Sequence, residues 1–200
     1  MFTMSSKHED FWEAEGFSPV AGVDEAGRGP LAGPVVACAL ILPPGIVIEG
    51  VNDSKKLTPP VREKLAEKIT KVAVSFAYGI VSAAEIDRIN ILRATMKAMQ
   101  QAISGLNPAA KIALVDGPNP PVSPCRVVCI PGGDSASRLI AGASILAKVK
   151  RDNIMAEIHE KFPEYGFEKH KGYGTKAHRE AIIYHGLCPE HRRTFGVKKI

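Results

Sequence analysis

Val20-Ala21-Gly22-Val23-Asp24-Glu25-Ala26-Gly27-Arg28-Gly29-Pro30-Leu31-Ala32-Gly33-Pro34-Val35-Val36-Ala37-Cys38-Ala39-Leu40-Ile41-Leu42 is the stretch on which the fold turns. Two apolar runs, Val20–Val23 and Val35–Leu42, flank a turn rich in glycine and proline. Each run is too short for a helix and is bounded by turn residues, so both read as buried strands. The turn is not a dinucleotide fingerprint. Its glycines have the spacing G-x-G-x-x-x-G, prolines follow two of them, and a strand comes next where that fingerprint opens a helix. The chain also lacks the G-x-x-x-x-G-K-[ST] run of a nucleoside-triphosphate loop. What remains is a loop of little side-chain bulk that lets backbone approach a ligand, with Arg28 placing positive charge beside the acidic pair. The same residues also read as a plain tight connection between antiparallel strands.

Outward from this unit, strands alternate with helices. Thr58 is a helix N-cap with Pro59 at the first helical position, and Val61, Leu65, Ile69 and Val72 follow at helical spacing. Val74–Val81 reads as a third strand. Ser82 and Glu85 form a capping box that opens a helix with Ile86, Ile89, Met96, Met99 and Ile103 on one stripe and Gly105 as its stop. Lys111–Val115 and Arg126–Ile130 are further short strands. A long helix is expected after Asp134, with Leu139, Ala143, Leu146, Ile154 and Ile158 inward, and a last helix around Lys176–His185. This order predicts an α/β sheet domain flanked by helices, residues 18–162, with a small helical C-terminal appendage, residues 163–200.

Acidic residues fall against the apolar strands. Asp24 and Glu25 end the first strand, Asp116 ends the fourth, and Asp134 stands at the mouth of the long helix. Singly, each has an ordinary reading: the start of a polar loop, an Asp-Gly-Pro turn, a helix N-cap. Brought together at one sheet edge they would repel, and a cation would be needed to neutralise them. Oxygen donors without His or Cys suit Mg²⁺ or Mn²⁺ rather than zinc. Two such ions roughly 4 Å apart can activate water and stabilise a leaving oxygen in phosphodiester hydrolysis. Spacing alone does not show that the four residues converge.

Bulk composition narrows the class. Hydrophobic content of 45% and charged content of 24% fit a globular protein. The longest apolar stretch is interrupted by Gly33 and Pro34, so it does not read as a membrane span. The polar, acidic N-terminus lacks the order of a signal peptide, and a cytoplasmic location is expected. Cys38, Cys125, Cys129 and Cys188 form no C-x-x-C pair and read as buried or incidental thiols. A net charge of +5 permits a polyanionic partner. Basic clusters (Lys148, Lys150 and Arg151; Lys169, Lys171, Lys176 and Arg179; Arg192, Arg193, Lys198 and Lys199) all fall in the last third of the chain and suggest one basic surface.

The stretch Val23 to Ala37 resembles the first signature block of ribonuclease HII. Further blocks match in order: Asp53-Ser54-Lys55-Lys56-Leu57, Asp116-Gly117 after an apolar strand, and Gly133-Asp134-Ser135 with Ala143 to Asp152. Gly172-Tyr173-Gly174-Thr175 with His191-Arg192-Arg193-Thr194-Phe195 completes the set. The resemblance runs from Val20 to Phe195. It implies a ribonuclease H-like mixed sheet and four metal-binding, catalytic acids, matched here by Asp24, Glu25, Asp116 and Asp134. It further implies substrate contacts from Gly27, Arg28 and Gly29, a tyrosine that reads the RNA–DNA junction, matched by Tyr173, and lysines near substrate, matched by Lys55 and Lys148. From the residues alone, Tyr173 reads as packing beside two glycines.

The implied activity is two-metal-ion hydrolysis, with Mn²⁺ or Mg²⁺, of the RNA strand of RNA–DNA hybrids. Cutting 5′ to ribonucleotides embedded in duplex DNA, with 3′-hydroxyl and 5′-phosphate ends, follows from the same resemblance, as does a role in repair. The end of the chain shows no clamp-binding peptide, the short segment before the first strand disfavours the sister ribonuclease HIII, and a monomer is expected. A non-catalytic hybrid-binding module would explain the basic surface but has no need of four carboxylates. A metal-dependent phosphatase of small phosphoesters is the other rival.

Overall fold

The two apolar runs form adjacent antiparallel strands, β1 (Val20–Ala26) and β2 (Val35–Ile41), in a computed structural model that describes residues 7–51, 54 and 57–196. On the far side of β2 lies β3 (Ser75–Val81), also antiparallel, while β4 (Ile112–Asp116) and β5 (Arg126–Ile130) add parallel strands beyond β1. The order β3-β2-β1-β4-β5 makes a mixed five-stranded sheet. Alternation along the strands sends Val20, Cys38, Ile112 and Leu114 to one face and Ala21, Val23, Ala37, Ala39 and Val115 to the other. Both faces are covered, which is why β1 and β2 read as unbroken apolar runs. Helix α4 (Ile91–Ser104) covers the second face with Ala94, Ala98 and Met99, and helix α6 (Arg138–Lys161) covers the first with Leu139, Ile140 and Ala143.

Close approach of α6 to β1 depends on Gly22. A Cβ there would overlap the backbone of Leu139 and Ile140. Gly22→Ala is expected to destabilise the protein by about 2 kcal/mol or more, because a packed helix must shift to admit the methyl group. A lower urea midpoint with an unchanged slope would show it.

Three local expectations are corrected. Helix α2 (Pro59–Val72) buries Arg62, Leu65, Ala66 and Ile69, whereas Val61 is 45% exposed and Val72 37%. The face is rotated because Arg62 turns inward, donating to the carbonyls of Ser54 and Leu57 and pairing with Asp152. The single helix expected after Ser82 is two, α3 (Ala83–Ile89) and α4, broken at Asn90, whose φ is 69° and whose side chain caps Arg93 N–H. Asp134 lies not at the mouth of the long helix but in a separate turn, α5 (Gly133–Ala136). Ser137 breaks the chain there and caps α6, and its hydroxyl donates to Glu9 of helix α1 (Lys7–Ala14) at 2.7 Å. Buried Glu9 also accepts from Leu139 N–H, placing a carboxylate at the start of α6 where the helix dipole favours it.

After Phe162 the chain wraps the glycine turn. Tyr165, Phe167 of helix α7 (Phe167–His170) and Ile182 of helix α8 (Lys176–His185) pack with Leu31, Ala32 and Met155. Backbone pairs fasten the contact: Leu31 N–H to Gly172 O, Gly33 N–H to Glu190 O and Arg192 N–H to Leu31 O, each at 2.8 Å. The four cysteines are free. Among the described residues no helix is long and apolar enough to cross a membrane.

Candidate active site

Register brings the first two carboxylates together. In the parallel pair β1–β4, Val23 lies opposite Val115, so Asp24 and Asp116 follow side by side at the carboxyl ends of their strands. Both continue the face that α6 covers, since Leu114 and Val20 belong to that side. Asp24 is consequently only 5% exposed. Its Oδ1 accepts from Glu25 N–H at 2.7 Å, and Ser144 of α6 hydrogen-bonds its carboxylate. Burial, and then the charges of Glu25 and Asp116, push the Asp24 carboxyl well above the usual carboxylate range. Burial also raises Glu25, with Asp116 adding to it and Arg28 opposing from 3.3 Å.

Asp116 is aimed by Gly133, whose N–H donates to its Oδ1 at 2.7 Å. This bond draws the α5 turn, in which Asp134 directly follows Gly133, against the end of β4. Asp134 is buried, with Ser135 Oγ at 3.5 Å from its Oδ1. Asp24, Glu25 and Asp116 line one cavity of about 400 Å³, together with Gly27, Arg28, Gly29, Ser54, Ser144, Lys148 and Tyr173. Asp134 does not line it. Lys55 lies outside the described residues, as do Asp53, Lys198 and Lys199 and the terminal segment 197–200 in which no clamp-binding peptide is expected.

The donor set suits a hard divalent cation. Buried Asp24 is held by a hydroxyl and a backbone N–H and is repelled by two carboxylates, and among the described residues no cationic side chain is a cause of its shift. Lys148, an amine that lines the cavity, donates to Asp152 Oδ1 at 2.7 Å. Among the described residues no three acidic, His or Cys side chains are already gathered into a closed cage. The carboxylates therefore face a shared space in which a cation would relieve their repulsion, rather than a preformed shell.

The opposite wall is the glycine turn, and what holds it corrects the expected basic surface. Arg151 and Arg192 are fully buried, not part of that surface. Arg151 donates to the carbonyls of Pro34, Ala32 and Lys171 at 3.0–3.1 Å. Arg192 donates to those of Gly33, Arg28 and Gly27 at 2.9, 2.9 and 2.6 Å. Two guanidinium forks thus grip the turn from behind, a task for which five donors in a rigid plane are suited. Burial, with Arg151 adjacent, pulls the Arg192 guanidinium down to about 9, still a cation at neutral pH. At Gly27 φ is 97°, and a Cβ would run into the Arg151 side chain. Arg28 itself points outward, its side chain 53% exposed.

Tyr173 is 46% exposed and does not pack as its flanking glycines suggest. Its ring stands 5.9 Å from Lys148 Nζ. Both residues also line a second cavity of about 590 Å³ with exposed Lys169 and half-buried Lys171, so the two cavities adjoin at Lys148 and Tyr173. Ser54 and Ser144, 2.9 Å apart, escaped the sequence reading. The one available signal was a hydroxyl within the otherwise apolar run Ala143 to Ala147.

A family model for ribonuclease HII matches residues 21–198. A ribonuclease HII of Caldanaerobacter subterraneus subsp. tengcongensis is 56% identical over 186 residues, covering 93% of this chain and 77% of the relative. The crystal structure of ribonuclease H2 from Pyrococcus horikoshii OT3 is similar with a TM-score of 0.75 and 30% identity, covering 90% of this chain and 95% of that one. Bst-RNase HIII, solved in complex with Mn²⁺, shares the fold with a TM-score of 0.69 at 18% identity, over 90% of this chain and 68% of that one.

Proposed function

The chain belongs to the ribonuclease HII family, endoribonucleases that cleave the RNA strand of RNA–DNA hybrids, and we propose that its cavity performs this hydrolysis with divalent cations and also cuts 5′ to single ribonucleotides in duplex DNA. The observation that carries the proposal is the meeting of three carboxylates at adjacent strand ends with the glycine turn and Tyr173 on the facing wall. Asp24, Glu25 and Asp116, with Asp134 at the margin, would hold Mn²⁺ or Mg²⁺; the Mn²⁺ complex of the structurally similar RNase HIII supports this choice. Bound there, the ions supply Lewis acidity that activates water and neutralises charge on the reacting phosphodiester.

The chain's own groups do the rest. Ser144 and the Glu25 N–H fix the Asp24 carboxylate, and Gly133 fixes Asp116. The turn Gly27–Arg28–Gly29 and Tyr173 bound the space where a ribose would sit, and contact with its 2′-hydroxyl is what separates RNA from DNA. Lys169 in the second cavity and Lys148, shared by both cavities, supply phosphate contacts beside the carboxylates, and exposed Lys176, Arg179 and Arg193 extend the basic surface of the same C-terminal segment. The products are a 3′-hydroxyl and a 5′-phosphate. In this division residues 18–162 carry the acids and residues 163–200 carry Tyr173 and most of the basic contacts.

A labelled DNA duplex with one ribonucleotide, a long hybrid and an all-DNA control, each with Mn²⁺ or Mg²⁺, tests the proposal. Cleavage of the first two but not the third, lost on chelation, is the expected result. Tyr173→Ala should depress cleavage at the single ribonucleotide about tenfold more than cleavage of the hybrid, the scale of one lost stacking contact. An equal effect on both substrates would remove the junction role from Tyr173.

A further inference from the structure

The exposed ring of Tyr173 projects from a turn whose backbone is not relaxed: Lys171 has a φ of 50°, unusual for a side chain of its size. Histidines hold the peptide groups on both sides. Gly172 N–H donates to His170 Nδ1 at 3.2 Å, and His178 Nδ1 lies 2.9 Å from Tyr173 O. The backbone donors determine every tautomer. Because His170 Nδ1 accepts a hydrogen bond, the ring's own hydrogen is on Nε2, directed at Tyr165 O at 2.8 Å. Cys188 N–H donates to His191 Nδ1 at 3.0 Å, so the His191 hydrogen is on Nε2. That nitrogen faces His178 Nε2 at 3.1 Å, which must then accept. The His178 hydrogen is therefore on Nδ1, aimed at Tyr173 O.

We propose that His178 and His191, assisted by His170, are positioning residues that fix Tyr173 for junction recognition through one directional hydrogen-bonded chain, Cys188 N–H to His191 to His178 to Tyr173 O. A second proton on either imidazole of the His178–His191 pair would set two N–H groups against each other. Burial holds His178 down to about 4 and keeps His170 and His191 below the usual histidine range, consistent with neutral rings. Burial likewise pushes the Cys188 thiol up, which disfavours an ion pair with His191 Nδ1 at 3.1 Å. Neither His178 nor His191 lines either cavity, so neither touches substrate. The chain also joins the two recognition walls. His191 bridges Ala32 in the glycine turn and directly precedes Arg192, which grips Gly27 and Arg28.

The inference rests on the reading of Tyr173 as the junction residue, and substrate ratios separate the two. His178→Phe keeps an aromatic ring and removes both the Nδ1 donor and the Nε2 acceptor. Single-ribonucleotide cleavage is expected to fall about tenfold more than hybrid cleavage, with little further loss when Tyr173→Ala is added, since both changes act on one contact. His178→Asn, whose amide N–H stands about where Nδ1 does, should recover most of the ratio. Equal losses on both substrates, or no loss, would overturn the positioning role while leaving Tyr173 intact. A native protein that cuts hybrids but not the single ribonucleotide would instead overturn the Tyr173 reading and this inference with it. Should His178→Phe fail to fold, imidazole ¹⁵N spectra of the native protein at pH 7 decide: neutral His178 carrying its proton on Nδ1 is expected, and the Nε2–H form or an imidazolium overturns the chain.

Discussion

Asp24→Asn is expected to lower cleavage of both substrates by about 10²–10³-fold, the scale for deleting one electrostatic element of a preorganised site. In metal-free protein the same change should raise the thermal midpoint. Asp24 has its carboxyl raised in the folded state by burial, Glu25 and Asp116. The folded state thus binds the proton more tightly than the unfolded chain does. Stability falls as pH rises above the unfolded carboxylate value, and at neutral pH the penalty is present. Asn removes the charge and keeps the shape, so a gain of about 1 kcal/mol or more, or about 2–4 °C for a chain of this size, is expected by calorimetry after chelation. Adding Mn²⁺ should reverse the ranking, because ligand binding to the folded state stabilises the native protein and largely spares the variant. A variant that keeps turnover would sink the assignment of Asp24. A native protein that binds hybrid, shows no turnover with either metal and is matched in affinity by Asp24→Asn would favour the binding module.

Arg192→Ala is expected to produce the second large effect, and on stability first. Were Arg192 the exposed cation that the sequence suggests, its removal would change stability by less than about 0.5 kcal/mol. In the structure it is buried and serves the carbonyls of Gly27, Arg28 and Gly33. Leaving three buried acceptors without their donor costs about 3 kcal/mol or more. Urea unfolding should show the loss, and cleavage by the still-folded variant at low temperature should drop at least about tenfold as the turn loses its position. Arg192→Lys restores the charge but offers a point donor in place of a fork, so it should recover only part of either quantity. Native stability in Arg192→Ala would mean that water replaces the guanidinium and that the grip on the turn is dispensable.

These two variants mark the difference between what sequence order carries and what packing carries. The strands on either side of the glycine turn, the Thr58–Pro59 helix start and the Ser82–Glu85 cap all depend on residues a few positions apart, and each is found where the pattern places it, although the Thr58 side chain makes no capping bond. Asp24 and Asp116 were legible as strand-end acids for the same reason. Their convergence was not, because it needs the parallel register of Val23 with Val115, a pairing between distant segments. The break at Asn90 and the separate turn holding Asp134 were hidden because capping by Asn90 and by Ser137 with Glu9 outcompetes helix propensity that reads as continuous.

Residue order along the chain suffices for the strand–turn–strand unit, the alternation that yields a helix-flanked sheet, the strand-end acids Asp24 and Asp116, and the family blocks that include Tyr173. Which charges face inward depends on packing between distant segments. Arg192 meets Gly27 across 165 positions, and Arg151 meets Pro34 across 117. Nothing local distinguishes these arginines from solvated ones such as Arg179 and Arg193. A guanidinium is buried only where backbone carbonyls from elsewhere in the chain converge to replace its water, and that convergence is a property of the folded molecule.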